Sequence, residues 1–169
     1  MRIIDLTHSI TRKNAPQDVI PVVVRSADPI SRVALDDLVT LATVVDLTER
    51  ADEAEVSLCD ISKTGVADIR GCILRTDWCD HYLSGLRVQS PILTIDAASY
   101  LLQGGVRTIA ADFPITADAA DLLLHNNCII IHCLSNISEL GKSIVRLVAL
   151  PLKIEDAYSA EARVIAMEE

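Results

Sequence analysis

The feature that most constrains this chain is a series of short apolar runs rich in β-branched residues, each the length of one buried strand. Ile20-Pro21-Val22-Val23-Val24 and Cys128-Ile129-Ile130-Ile131 are typical. Arg2 to Ile10 alternates as a strand, and Ala42 to Leu47, Gly71 to Thr76, Arg107 to Ala111, Ile144 to Ile154 and Ala162 to Ala166 supply further strands. Ile20 to Arg25 is another, with Pro21 placed near its start or on an edge. Helical signals cluster between residues 94 and 124. Thr94 caps a segment running to Gln103 that Gly104-Gly105 terminates, and a second helix runs from Thr116 or Ala117 to Leu124, where Asn126-Asn127 stops it. Leu35, Leu38 and Leu41 suggest a helical turn or two within Pro29 to Leu41. Ser57 to Ile61 reads as a short strand or turn, Ser62 to Ile69 as a turn, and Lys13 to Asp18 as a loop. A regular doubly wound fold needs a helix after nearly every strand, so the pattern predicts an α/β domain with a mixed, strand-rich sheet spanning 1–169.

With one Phe, one Trp and three Tyr, the core must be filled by Leu, Ile, Val and Ala. No apolar run approaches the ~20 residues that cross a bilayer, so no membrane association is expected. A net charge of −9 with no Lys/Arg cluster argues against nucleic acid as a partner. Arg2, Asp5 and His8 leave no secretory signal at the start, so a cytoplasmic address is expected. The five cysteines then read as reduced core thiols rather than a disulfide set.

Ile3-Ile4-Asp5-Leu6-Thr7-His8 at one end, and Leu147-Val148-Ala149-Leu150-Pro151-Leu152-Lys153-Ile154-Glu155 at the other, form a frame. Between them lie Val44-Val45-Asp46-Leu47, Ile73-Leu74-Arg75-Thr76-Asp77-Trp78, Gly105-Val106-Arg107-Thr108-Ile109-Ala110-Ala111-Asp112 and Asn136-Ile137-Ser138-Glu139-Leu140. In this order they resemble the cyclase family, whose best-known members look like kynurenine formamidase, a metal-dependent amide hydrolase. The resemblance covers about residues 2 to 167. It implies a swivelling β/β/α-type fold and a homo-oligomer.

The same resemblance implies a metal carried on a segment of the form H-x-G-T-H-x-D-x-P, and nothing in residues 9 to 43 reads that way. Only Ser9 to Ala27 separates His8 from Asp28, after which Leu35-Asp36-Asp37-Leu38-Val39 again resembles the family. The family's later His and Glu fall at Ala120 and His132. A divalent metal needs three or four convergent donors, so both halves of the inherited site are absent from the sequence.

What remains are candidates with plain alternatives. His8 either faces the former cleft or is a strand-end histidine bonded to backbone, and the second is favoured. Cys128 and His132 share a strand face, and with Asp112 offer a thiolate, an imidazole and a carboxylate to Zn or Mn. Buried thiols in an Ile-rich strand are, however, ordinary. Trp78-Cys79-Asp80-His81 places thiol, carboxylate and imidazole together, yet the polar end of a strand plus a turn explains it better than a nucleophile pair. Asp46 and Asp112 read as strand-end residues that cap or brace loops. No catalytic residue, cofactor or metal is therefore expected. The favoured expectation is a family member without hydrolase activity that acts as a binding, regulatory or oligomeric partner, with an active relative as one candidate partner. A small-molecule binder using the cleft without chemistry is a third course. The enzyme alternative is a hydrolase of a small amide, formamide or lactone with a site rebuilt around His8, Asp112 and His132, and only there is Zn or Mn called for.

Overall fold

A computed structural model of the chain describes residues 1–9, 20–25, 28–50, 55–64, 69–86, 89–115 and 117–169. Eight strands form the main sheet: β1 (Arg2–Asp5), β2 (Val22–Val24), β3 (Val39–Asp46), β5 (Gly71–Arg75), β7 (Thr108–Ala111), β8 (Ile129–His132), β9 (Ile144–Pro151) and β10 (Ser159–Glu168). Two more, β4 (Glu55–Val56) and β6 (Ile92–Leu93), pair in parallel as a separate ribbon. In the main sheet β9, β3, β5, β7, β8, β2 and β10 follow one another, and β10 pairs back onto β9. Seven strands thus close into a barrel-like ring, with β1 added to β10 as an eighth. The segment β3-β5-β7-β8 is parallel, and the other pairings are antiparallel. This is the mixed, strand-rich α/β architecture that the sequence predicts.

Side-chain alternation sorts the core into two layers. Ile73, Ala110, Ile129, Ile131, Leu147 and Val164 point into the ring. Cys72, Leu74, Ile109, Ala111 and Ile130, from the same parallel strands, point outward beneath the helices. A parallel strand covered on both faces has no polar side, which is why β5 and β7 are buried along almost their whole length. Gly71 marks the closest approach: a Cβ there would stand 2.6 Å from the Leu41 carbonyl oxygen and 2.9 Å from the Ala42 Cβ.

Five helices are described: α1 (Leu35–Leu38), α2 (Leu58–Thr64), α3 (Trp78–Leu83), α4 (Ile95–Gln103) and α5 (Ala117–His125). The Thr94 hydroxyl caps α4 by accepting the Ala97 N–H, and Gly105 beyond its end adopts a φ of 86°. The face of α4 carrying Ala97, Ala98 and Leu101 is buried against α5 and the sheet.

Several expectations are corrected. Ser57 to Ile61 is neither strand nor turn but the entry and first turn of α2. Both the N–H and the hydroxyl of Ser57 donate to Asp60 Oδ2, at 2.9 and 2.6 Å, so an acid three residues on secures the residue at the helix entry. Trp78 to His81 is likewise the start of α3, not a strand end plus a turn. Its Trp78 ring is buried, stacks on Tyr82 and donates to the Gln89 carbonyl. Helices are therefore not confined to residues 94 to 124. The first strand stops at Asp5 rather than Ile10, because Asp5 Oδ1 accepts the Thr7 N–H and turns the chain. Strand β3 begins at Val39, inside the segment expected to be helical to Leu41. The Lys13 to Asp18 loop lies outside the described residues.

Candidate functional site

Parallel strands deliver their C-terminal ends to one side of a sheet, where ligands of open α/β sheets bind. Here those ends carry Thr76 and Asp77 after β5, Asp112 after β7, and Cys133 to Asn136 after β8. Asp112 is almost fully buried. Its Oδ2 accepts the Thr76 N–H at 2.8 Å and the Asp77 N–H, and its Oδ1 accepts the Thr76 hydroxyl at 2.8 Å. Burial pushes the Asp112 carboxyl up to about 7, with the negative charge of Asp77 acting in the same direction against those three donors.

Asp77 takes a left-handed φ of 59°, which an Asp tolerates better than most side chains. It is held there by the Arg75 guanidinium, with Nε at 2.8 Å from Oδ1 and Nη2 at 2.9 Å from Oδ2. The fork geometry of Arg suits such a bidentate grip. Arg75 also reaches Asp46 at 3.4 Å. Asp80, on α3, accepts the Asn136 N–H at 3.3 Å to each oxygen. Burial raises the Asp80 carboxyl above the ordinary range, opposed by that N–H and by the charges of His81 and His8. The Asn136 amide in turn donates to the Asp5 carbonyl at 3.0 Å, tying this corner to β1.

Beyond β1 lies a cleft of about 490 Å³. Asp5, Thr7, His8, Glu161 and Arg163 form its polar side, and Ile20, Leu150 and Leu152 its apolar side. On that polar side Arg163 Nη2 binds Asp5 Oδ2 at 2.7 Å, and chiefly this guanidinium holds the Asp5 carboxyl below the ordinary range. Of the sequence candidates, only His8 lines this cleft; Asp112 and His132 do not. His132 ends β8, partly buried, with its Nδ1 enclosed and without a hydrogen-bond partner, and burial lowers its pKa. Cys128 belongs to the helix-facing layer near Cys72, and burial pushes both thiols up to about 12. Asp46, expected to brace a loop, accepts the N–H and hydroxyl of Thr48. Gly104-Gly105 closes α4, as expected.

The residues that organise this end of the sheet beyond Asp112 are Arg75, Thr76, Asp77 and Asn136. Their sequence signal is slight: an acid two residues after an arginine, and an Asn that adopts a φ of 58°.

The family model named Cyclase matches residues 3–119. This chain belongs to that family. No curated protein matches it by sequence. Among solved structures it is similar to isatin hydrolase A from Ralstonia solanacearum, with a TM-score of 0.81, 16% identity, and coverage of 99% of this chain and 92% of that one. It is similar also to isatin hydrolase A from Labrenzia aggregata, bound to benzyl benzoate, with a TM-score of 0.80, 18% identity, and 99% and 94% coverage. A predicted metal-dependent hydrolase from Bacillus stearothermophilus gives a TM-score of 0.78 at 18% identity, with 98% and 97% coverage. At these identities the likeness shows the shared fold.

The metal that such neighbours' names suggest can be tested against the donors of this Cyclase-family chain. All four histidines and all five cysteines fall among the described residues. His8 is in the cleft, His81 on α3 and His132 at the end of β8, while His125 Nδ1 lies 2.6 Å from the Asp121 carbonyl within α5. Among the described residues no three His, Cys, Asp or Glu side chains converge as a metal site. The donors among the described residues do not fit the group. Among these residues, too, no helix is long and apolar enough to cross a membrane.

Proposed function

We propose that this Cyclase-family chain has relinquished metal-dependent hydrolysis and works by binding, holding a small ligand in the cleft beside His8. The observation that carries this reading is the condition of Asp112. A carboxylate serving as ligand or base must offer a lone pair to a metal, water or substrate. Three of the roughly four acceptor positions of the Asp112 carboxylate are taken by the Thr76 N–H, the Thr76 hydroxyl and the Asp77 N–H, so the side chain chiefly braces the ends of β5 and β7. The cleft supplies what small-ligand recognition uses: an apolar wall of Leu150 and Leu152 facing a few placed polar groups, His8, Thr7 and the Asp5–Arg163 pair.

A hydrolase of a small amide, formamide or lactone is the second reading. It is favoured by the enclosed, unpartnered Nδ1 of His132 and by an Asp112 carboxyl poised near 7, where acid–base catalysis is most effective. Metal analysis of protein purified without chelator, paired with hydrolysis of an N-formyl amide, separates the two. The binding reading expects substoichiometric metal and no turnover. Stoichiometric Zn or Mn, with turnover abolished by His132→Ala, would replace it with the hydrolase.

A further inference from the structure

The polar groups of the cleft beside His8 divide into those the fold engages and those it leaves over. Both oxygens of Asp5 are engaged. Oδ1 accepts the Thr7 N–H at 3.2 Å, and Oδ2 accepts from Nε and Nη2 of Arg163 at 3.2 and 2.7 Å. Thr7 is engaged as well, its hydroxyl donating to the Val164 carbonyl and accepting the Val164 N–H. Arg163 is thereby drawn toward β1, and Asp5 answers its charge. Glu161 differs. It stands two residues before Arg163 on the same face of β10, roughly 7 Å along the strand. It lines the cleft, yet it has neither a hydrogen bond nor an ion pair among the described residues.

We infer that the ligand of this cleft is a small organic cation, a protonated amine on an apolar body. The ammonium meets Glu161, and the body lies against Ile20, Leu150 and Leu152. Charge selects the head group. Asp5 and Glu161 against Arg163 leave the cleft one negative charge in excess. An anion would meet Glu161 while the guanidinium able to attract it is held by Asp5. The chain as a whole carries −9, so its field draws cations in and turns anions away. Hydrogen bonding agrees, because an ammonium only donates and a carboxylate only accepts.

Size and shape select the body. Strand register sets Leu150 directly opposite Arg163, so the apolar wall begins beside the charged row. Leu150 and Leu152 are 49% and 73% exposed, and an apolar group laid on them removes that surface from water. A volume of about 490 Å³ suits a compact ring-bearing amine rather than a folded partner. The inference rests on the binding reading above and names the chemistry that site recognises.

The test is proton–nitrogen correlation NMR of the whole chain at low salt, titrated with three probes of one shape: phenethylamine, phenethyl alcohol and hydrocinnamate. Phenethylamine is expected to shift the amides of Glu161, Ala162 and Arg163 saturably. The alcohol should bind about five-fold more weakly, and the anion more weakly still. Glu161→Gln keeps the side chain's shape at an exposed position and should bring the amine down to the affinity of the alcohol. Should that variant fail to fold, added salt decides on the wild type, weakening the amine and leaving the alcohol unchanged. An alcohol or hydrocinnamate that binds as tightly as the amine, a Glu161→Gln variant that binds the amine as wild type does, or an amine affinity indifferent to salt would overturn the cation while leaving a binding cleft in place. Absence of binding at the cleft by all three probes would remove the binding reading and this inference with it.

Discussion

Replacing Asp112 tests the energetic heart of the site, and two substitutions divide its contributions. Asp112→Asn keeps the shape of the neutral carboxyl. Its oxygen can accept the Thr76 and Asp77 N–H groups, while its amide donates to the Thr76 hydroxyl, which rotates to accept. Asp112→Ala leaves all three donors without this acceptor, at about 1–3 kcal/mol each, or about 3–9 kcal/mol together. The acid adds a pH dependence that Asn lacks. Its folded value near 7 lies above the ordinary 3.8, so between those values the folded state holds a proton that the unfolded state has released. Stability from this group is therefore greatest at low pH and falls as pH rises through that window, by about 4 kcal/mol in all. Urea unfolding of wild type and Asp112→Asn, at pH 4 and at pH 7.5, measures it as a difference in which other titrating groups cancel. The two proteins should be nearly equal in stability at pH 4. At pH 7.5 Asp112→Asn should be the more stable by a few kcal/mol. If Asp112→Asn instead lost stability at pH 7.5 while matching wild type at pH 4, the carboxylate would be the favoured form and the argument from burial would be refuted.

Two further outcomes follow from the packing. Gly71→Ala drives a methyl against the Leu41 carbonyl and the Ala42 side chain, so the midpoint of chemical unfolding should fall by the equivalent of about 1–3 kcal/mol; an unchanged midpoint would mean that β3 and β5 separate easily. Four of the five thiols are buried and only Cys59 is exposed, so a thiol reagent should label one cysteine rapidly in the native protein and the others only on unfolding.

How far the sequence speaks depends on whether a feature is local. Helix α4 is legible because its start and stop signals, Thr94 and Gly104-Gly105, directly flank the segment itself. Strand β5 is legible because both its faces are apolar. Helices α2 and α3 are not, since each is short and its apolar content is compatible with a strand. What fixes α2 is a bond between Ser57 and Asp60, a spacing easily passed over in a polar stretch. Asp112 is recognisable as a strand-end brace, but its partners stand in Thr76 and Asp77, in a different strand's exit. Similarly, His8 is visible beside the cleft, whereas Arg163 on the same polar side comes from the far end of the chain. Ring closure is the extreme case, because alternation tells which side a residue faces and not which strand it pairs with.

That closure also sets an order of events during synthesis. Among the described residues β1 pairs with β10 alone, and β2 joins the ring through β10 and β8. Their partners are made more than a hundred residues later, and the ring is sealed only when Ser159–Glu168 has left the ribosome. Until then Ile4, Val23 and Leu147, which the finished barrel encloses, lack a complete interior. Long-range pairings of this kind form slowly and leave apolar edges open to misassociation. The nascent chain is thus expected to rely on chaperones most heavily in the interval just before β10 emerges.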